Sequence, residues 1–273
     1  MMSSYEVEYD NRGRVPEHPG IIAGWARDAA AYRDIASAEH GVSYGPSPRQ
    51  RYDLFRPQHM SADALAVFLH GGYWQALDIT FFSHMARGLN AHGVAVAVIG
   101  YDLCPDVSLA GIIGQTRFAC AALHRRFALP LVAYGHSAGG HLAACLLATD
   151  WQAVAQDLPP RLVRAGYGIS GLYNLKPLTE TSVNRALGLD MDEAERQSPL
   201  FWPAPSRLAF DAVVGADESA EYLKQSRRIT DVWGLEGVVT RYEELPGNHF
   251  TVIAPLAEPG SAMTARLAGL CHA

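Results

Sequence analysis

The sequence predicts an α/β fold: a doubly wound, mostly parallel sheet with helices on both faces. Three observations carry that expectation. Apolar runs such as Leu65–Leu69 and residues 94–99 are continuous rather than alternating, as strands buried on both faces require, and Val163–Ile169 reads as a further strand. Stretches with helical spacing and capping residues fall between them, so strand and helix alternate. One strand, residues 130–134, runs through Gly135-His136-Ser137-Ala138-Gly139-Gly140 into a helix-forming stretch at 142–148.

In chain order, residues 1–38 read as a polar lead-in, broken by Pro16 and Pro19-Gly20, and then a helix over 21–35. Ile22, Trp25, Ala29, Tyr32 and Ile35 are spaced to share one face of it. Packing against the main body is the first role for that face, and walling a ligand site the second. Residues 41–44 and 51–55 read as short strands joined by a turn at Gly45-Pro46-Ser47-Pro48. The strand at 65–69 ends in His70-Gly71-Gly72-Tyr73-Trp74. Asp78 suits the N-cap of a helix to about residue 92, with Gly93 as its stop. After the strand at 94–99, Ser108 can cap a helix to about residue 126. Residues 172–208, with Pro177, Pro199, Pro203 and Pro205, read as an irregular excursion over the carboxyl edge of the sheet, where ligands bind in such folds. A strand ending at 212–215, a helix to about 233 that Ser219 can cap, a strand at 238–243 and a helix at 260–271 complete the chain. No boundary divides it. It reads as one domain over 1–273, with 1–38 and 172–208 as cap or lid segments.

Composition narrows the class. The 273 residues are 49% hydrophobic and 18% charged, with a formal net charge of −6 and no basic run. That describes a globular protein with a sizeable core and argues against nucleic acid or an anionic membrane as a partner. Cys104, Cys120, Cys145 and Cys271 are far apart and lack metal or disulfide spacing, so a reducing, cytoplasmic location is expected. Residues 1–10 hold no apolar signal-peptide core, and no apolar run is long enough to span a bilayer.

Gly135, Ser137 and Gly139 satisfy G-x-S-x-G between a strand and a helix. In a nucleophile elbow the serine occupies the strained tip of that turn. A serine hydroxyl needs a base, and the base needs an orienting acid. On an α/β-hydrolase sheet these follow the serine as acid, then histidine. His141 lies a turn into the elbow helix and His272 is penultimate and expected to be mobile. His249, in the loop Pro246-Gly247-Asn248-His249-Phe250 after the last strand, is the candidate base. The acid belongs after the preceding strand, where Asp217 and Glu218 compete. Glu218 falls three residues after Gly215, the usual loop spacing, and is preferred, with Asp217 as runner-up. His70-Gly71-Gly72 fits a loop that presents backbone N–H groups to a developing oxyanion. Gly71, Gly72 and Ala138 are the candidate donors, and His70 a loop-stabilising residue. Tyr73, Trp74, Tyr173 and Trp202 are candidate walls of a substrate pocket, each set against an ordinary packing role.

His70-Gly71-Gly72-Tyr73-Trp74 together with Gly135-His136-Ser137-Ala138-Gly139-Gly140-His141 resembles the arylformamidase (kynurenine formamidase) branch of the α/β-hydrolases, allied to the hormone-sensitive-lipase-like esterases. The segments 101–105, 170–175, 182–184, 218–222 and Tyr9-Asp10-Asn11-Arg12 with Val15-Pro16 are also similar, so the likeness runs along nearly the whole chain. The resemblance implies an α/β-hydrolase fold and hydrolysis of an aryl formamide or small ester through an acyl-serine, with no metal or other cofactor. It also implies an acidic residue at position 218. The expected partner is a small-molecule ester or amide, and a homodimer is the one oligomer considered. A thioesterase, lactonase or peptidase on the same fold is the alternative, and a non-catalytic binding protein a further one.

Overall fold

A computed structural model of the protein describes residues 4–59 and 63–273. The first three residues of the polar lead-in, and with them part of the signal-peptide reading of 1–10, lie outside the described residues.

Eight strands, β1 (Ser37–Ser43), β2 (Arg51–Arg56), β3 (Leu65–Leu69), β4 (Ala95–Ile99), β5 (Leu131–His136), β6 (Val163–Ile169), β7 (Ala209–Gly215) and β8 (Val239–Leu245), form one sheet in the order β1-β2-β4-β3-β5-β6-β7-β8. β2 pairs antiparallel with β1 and with β4. From β4 through β8 every pairing is parallel. The chain steps outward from β3 to β4, then returns to the other side of β3 for β5. The strand order therefore reverses at β3, and a crevice opens at the carboxyl ends of β3 and β5. Leu69 is in register with Gly135, so the two Gly-rich turns begin side by side.

β3 to β5 are buried on both faces, as their continuous apolar runs require. Alternation splits their side chains between two apolar layers. Leu65, Val67 and Leu69 join helices Leu109–Phe127, Ala138–Leu147 and Ala220–Leu235 on one face. Ala66 and Phe68 meet helices His18–Ile35 and Ala262–His272 on the other. Ser108 caps its helix by accepting from the Gly111 N–H.

Four local expectations need correction. Residues 79–91 do not form one helix. Asp78 caps a short 3₁₀ turn, Ile79–Phe81, a second turn spans Ser83–Ala86, and only Arg87–Ala91 is α-helical. Phe82, at φ −126°, breaks the run, and every residue from Phe82 to Ala86 is buried. Ile35 is not on the packed face but 80% exposed, at the end where the chain leaves for β1. The Ser219 side chain makes no capping hydrogen bond. His272 is held in place, with Nδ1 2.9 Å from the Asp63 carboxylate. The excursion over 172–208 is organised by the short helices Asn184–Leu187 and Met191–Arg196 and flanking 3₁₀ turns.

Candidate active site

Each functional group is placed by the end of a strand. Ser137, between β5 and helix Ala138–Leu147, has φ 56° and ψ −118°, a conformation L-residues rarely adopt. The strain is held because neighbouring backbones leave no room for relaxation. A Cβ on Gly139 would lie 1.9 Å from the Leu69 carbonyl oxygen, and one on Gly135 would lie 2.4 Å from that of Gly139. Only glycine permits this approach of helix to strand.

His249 follows β8 and Gly247, which has φ 120°. Asn248 fixes the turn by accepting from the N–H groups of Phe250 and Thr251 at 2.9 and 3.1 Å. The histidine's Nε2 is 3.0 Å from Ser137 Oγ, and its Nδ1 is 2.6 Å from Glu218 Oε2. All three side chains are buried. The carboxylate is itself oriented: Glu218 Oε1 accepts from the Gly215 N–H at 2.7 Å and from the Ser170 hydroxyl. With Nδ1–H donating to the carboxylate, Nε2 is left as an acceptor for the serine hydroxyl hydrogen.

Asp217 is exposed, and its backbone N–H donates to the Gly247 carbonyl, so the turn sends its side chain away from His249. His141 is buried and bonded through Nε2 to the Gln197 carbonyl. His70 is stacked on Tyr101 with ring centroids 4.2 Å apart and donates through Nδ1 to the Gly71 carbonyl. Burial pushes the pKa of both His70 and His141 down to about 4.

The Gly71–Gly72 turn lies against Ser137: a Cβ on Gly71 would lie 3.2 Å from the Ser137 Cβ. Gly72 has φ 114°, and a Cβ there would strike the Ala76 carbonyl. Ala138 is the first residue of the elbow helix, so its N–H has no acceptor within the helix. Gly71 and Ala138 thus lie beside Ser137, and Gly71 and Gly72 line the cavity with it.

Above them is a cavity of about 400 Å³. Of the four proposed wall residues, only Tyr73 lines it. Trp74 is fully buried beneath the turn, edge-on to His141. Tyr173 packs against Phe210 inside the sheet layer. Trp202 donates to the Arg196 carbonyl, with the Arg117 guanidinium 5.5 Å from its ring. The aromatic walls come instead from Trp25, Phe82 and Phe250, which pack on one another at centroid distances of 5.4 to 6.1 Å. The N-terminal helix therefore both packs and walls the site. Asn11 and Tyr9 reach the cavity from the lead-in, and Thr181–Val183 reach its mouth from the 172–208 excursion. There Glu6 accepts from the Ser182 N–H at 2.6 Å and from its hydroxyl, contacts that hold the Glu6 carboxyl below its usual pKa.

Sequence reasoning also missed His136, whose Nε2 donates to the His249 carbonyl at 2.8 Å, and Tyr222, whose ring lies 4.7 Å from that of His249. The signal for Asn11 and Tyr222 was their place in segments 9–12 and 218–222, singled out by resemblance alone. Among the described residues no cluster of three His, Cys, Asp or Glu side chains could hold a metal ion, and no helix is long and apolar enough to cross a membrane.

No family model matches the chain. Over 236 residues it is 31% identical to the kynurenine formamidase of Salmo salar, an alignment covering 83% of this chain and 79% of that one. It is 32% identical to the Drosophila melanogaster kynurenine formamidase over 232 residues, covering 79% and 76%. Among solved structures, a candidate thioesterase from Silicibacter sp. superposes with a TM-score of 0.85 at 33% identity, covering 97% of this chain and 98% of that one.

Proposed function

Since the chain belongs to the kynurenine formamidase family of α/β-hydrolases and is an arylformamidase-like carboxylesterase, we propose that it works by acyl transfer to Ser137, with His249 as base and Glu218 orienting it. The observation that carries this reading is the buried chain of contacts from Glu218 to His249 to Ser137, 2.6 and 3.0 Å, at the floor of an aromatic-walled cavity.

His249 Nε2 takes the hydroxyl hydrogen as Ser137 Oγ bonds to the substrate carbonyl carbon. The N–H groups of Gly71, Gly72 and Ala138 receive the oxyanion. The imidazolium then gives its proton to the leaving nitrogen or oxygen, the C–N or C–O bond breaks, and water repeats the sequence on the acyl-serine. A cavity of about 400 Å³ is at the small end for ligand sites and suits a small acyl group on an aryl leaving group. We propose one domain over residues 1–273 and a cytoplasmic location, on the composition and cysteine spacing given above.

Ser137→Ala should lower kcat on a p-nitrophenyl ester by a factor on the order of 10³ or more and abolish labelling by a fluorophosphonate. Wild-type turnover in that variant would sink the mechanism. A thioesterase is the second reading, favoured by the Silicibacter structure. Thioester turnover well above that of the matching aryl formamide would select it.

A further inference from the structure

Tyr101 lies two residues beyond β4 and next to the turn that carries Gly71 and Gly72, because Ile99 is in register with Leu69 at the end of β3. Its ring is stacked on that of His70, and both side chains are fully buried. The Tyr101 hydroxyl is 2.6 Å from the His70 carbonyl oxygen, and His70 Nδ1 is 2.8 Å from the Gly71 carbonyl oxygen. A carbonyl can only accept, so the phenol and Nδ1 both donate. Burial lowers the pKa of His70 to about 4 and raises that of the Tyr101 phenol, so near neutral pH the imidazole stays neutral and the phenol keeps its hydrogen. The backbone of Tyr101 is itself pinned, its carbonyl accepting from Arg49 Nε at 2.9 Å.

Both peptides of the turn are trans, and in a planar trans peptide the N–H points opposite to the C=O. The His70 carbonyl shares its peptide with the Gly71 N–H, and the Gly71 carbonyl shares its peptide with the Gly72 N–H. Both carbonyls are drawn toward the His70–Tyr101 stack, so both N–H groups point away from it. Gly71 and Gly72 line the cavity together with Ser137, whereas the stack lies outside its lining. Neither N–H meets a backbone acceptor among the described residues.

We infer that Tyr101 is a positioning residue of the oxyanion hole: its hydroxyl, acting with His70 Nδ1, stops the Gly71 and Gly72 peptides from flipping and so keeps both N–H groups aimed at the substrate's carbonyl oxygen. The inference rests on the acyl-serine reading above. Two successive glycines offer little steric resistance to such a rotation, and donors that are aimed before charge develops need no reorganisation when it does. Tyr101 touches no substrate and transfers no proton.

The test compares phenyl acetate with O-phenyl thioacetate, in which sulfur replaces the carbonyl oxygen and the leaving group is the same. Sulfur accepts hydrogen bonds weakly, so turnover of the thiono ester depends less on the donors. Tyr101→Phe keeps the stacked ring and removes the hydroxyl. It should lower kcat/KM for phenyl acetate by a factor on the order of ten, one hydrogen bond's worth, and that of the thiono ester much less, so that the ratio of the two falls. His70→Phe, which keeps a ring on Tyr101 but loses the Nδ1 donor, should lower the ratio in the same way, and it is read alone if Tyr101→Phe does not fold. An unchanged ratio, with the two substrates slowing in parallel or not at all, overturns the inference and leaves Tyr101 a packing residue. Failure of the underlying mechanism reads differently: Ser137→Ala would then keep turnover of both esters.

Discussion

Replacing Glu218 with glutamine tests how the site is wired, and its outcome is fixed by two donors. Glu218 Oε1 sits against the Gly215 N–H and the Ser170 hydroxyl, so the glutamine must keep its carbonyl oxygen there. Its NH₂ group then faces His249 Nδ1, where Glu218 Oε2 had accepted at 2.6 Å. Two donors cannot share that contact. The imidazole adopts the other tautomer, with Nδ1 accepting and Nε2 carrying the hydrogen, and Nε2 can no longer take the Ser137 hydrogen. A wrong tautomer in a serine triad lowers kcat about 10⁴-fold, or about 5 kcal/mol of transition-state stabilisation. The exposed Asp217 makes no such contact, and Asp217→Asn should stay within about twofold of wild type. The assay is kcat on p-nitrophenyl acetate, with thermal unfolding as a check that each variant is folded. The reasoning is refuted if Glu218→Gln keeps more than a tenth of wild-type kcat, or if Asp217→Asn loses as much.

Other consequences are equally direct. Gly139→Ala puts a methyl group into the Leu69 backbone and should cost several kcal/mol, about 3 or more, seen as a large fall in Tm or loss of soluble protein; a Tm within a degree of wild type would contradict the packing account. Trp202→Ala should leave KM for aryl substrates unchanged, whereas Trp25→Ala should raise it, because Trp25 and not Trp202 borders the cavity; steady-state kinetics with an aryl ester decide. Stability should be complete above pH ~6.5 and decline as pH falls toward about 4, since His70 and His141 refuse in the folded state a proton that the unfolded chain accepts near pH 6.5. A Tm that is flat between pH 7 and 4.5 would show that these imidazoles carry no such penalty.

What could be read from the chain was whatever local geometry encodes. Gly135, Ser137 and Gly139 declare a sharp strand-to-helix turn within five residues, and Gly71-Gly72 a backbone that must pass close to something. Continuous apolar runs declared β3 to β5 to within two residues. The preference for Glu218 over Asp217 was legible from spacing, because a three-residue turn after Gly215 sets which side chain comes round. The broken run at 79–91 was not legible: Asp78 capped as expected, but Phe82 leaves the helical region and splits the segment into two 3₁₀ turns before the short helix.

The pocket shows the same division. Tyr73 and Trp74 are neighbours in sequence, yet both have positive φ, and the turn turns one ring toward the cavity and buries the other beneath it. By itself the sequence determined the fold class and the parts of the site, a serine on an elbow, an imidazole and a glycine turn, because backbone sterics act over a few residues. Only the tertiary structure decided that Asn11, Trp25 and Tyr222 close around Ser137. Asn11 meets Tyr222 across 211 positions of chain, and which distant side chains share a dry cavity depends on how the whole sheet and its two apolar layers pack.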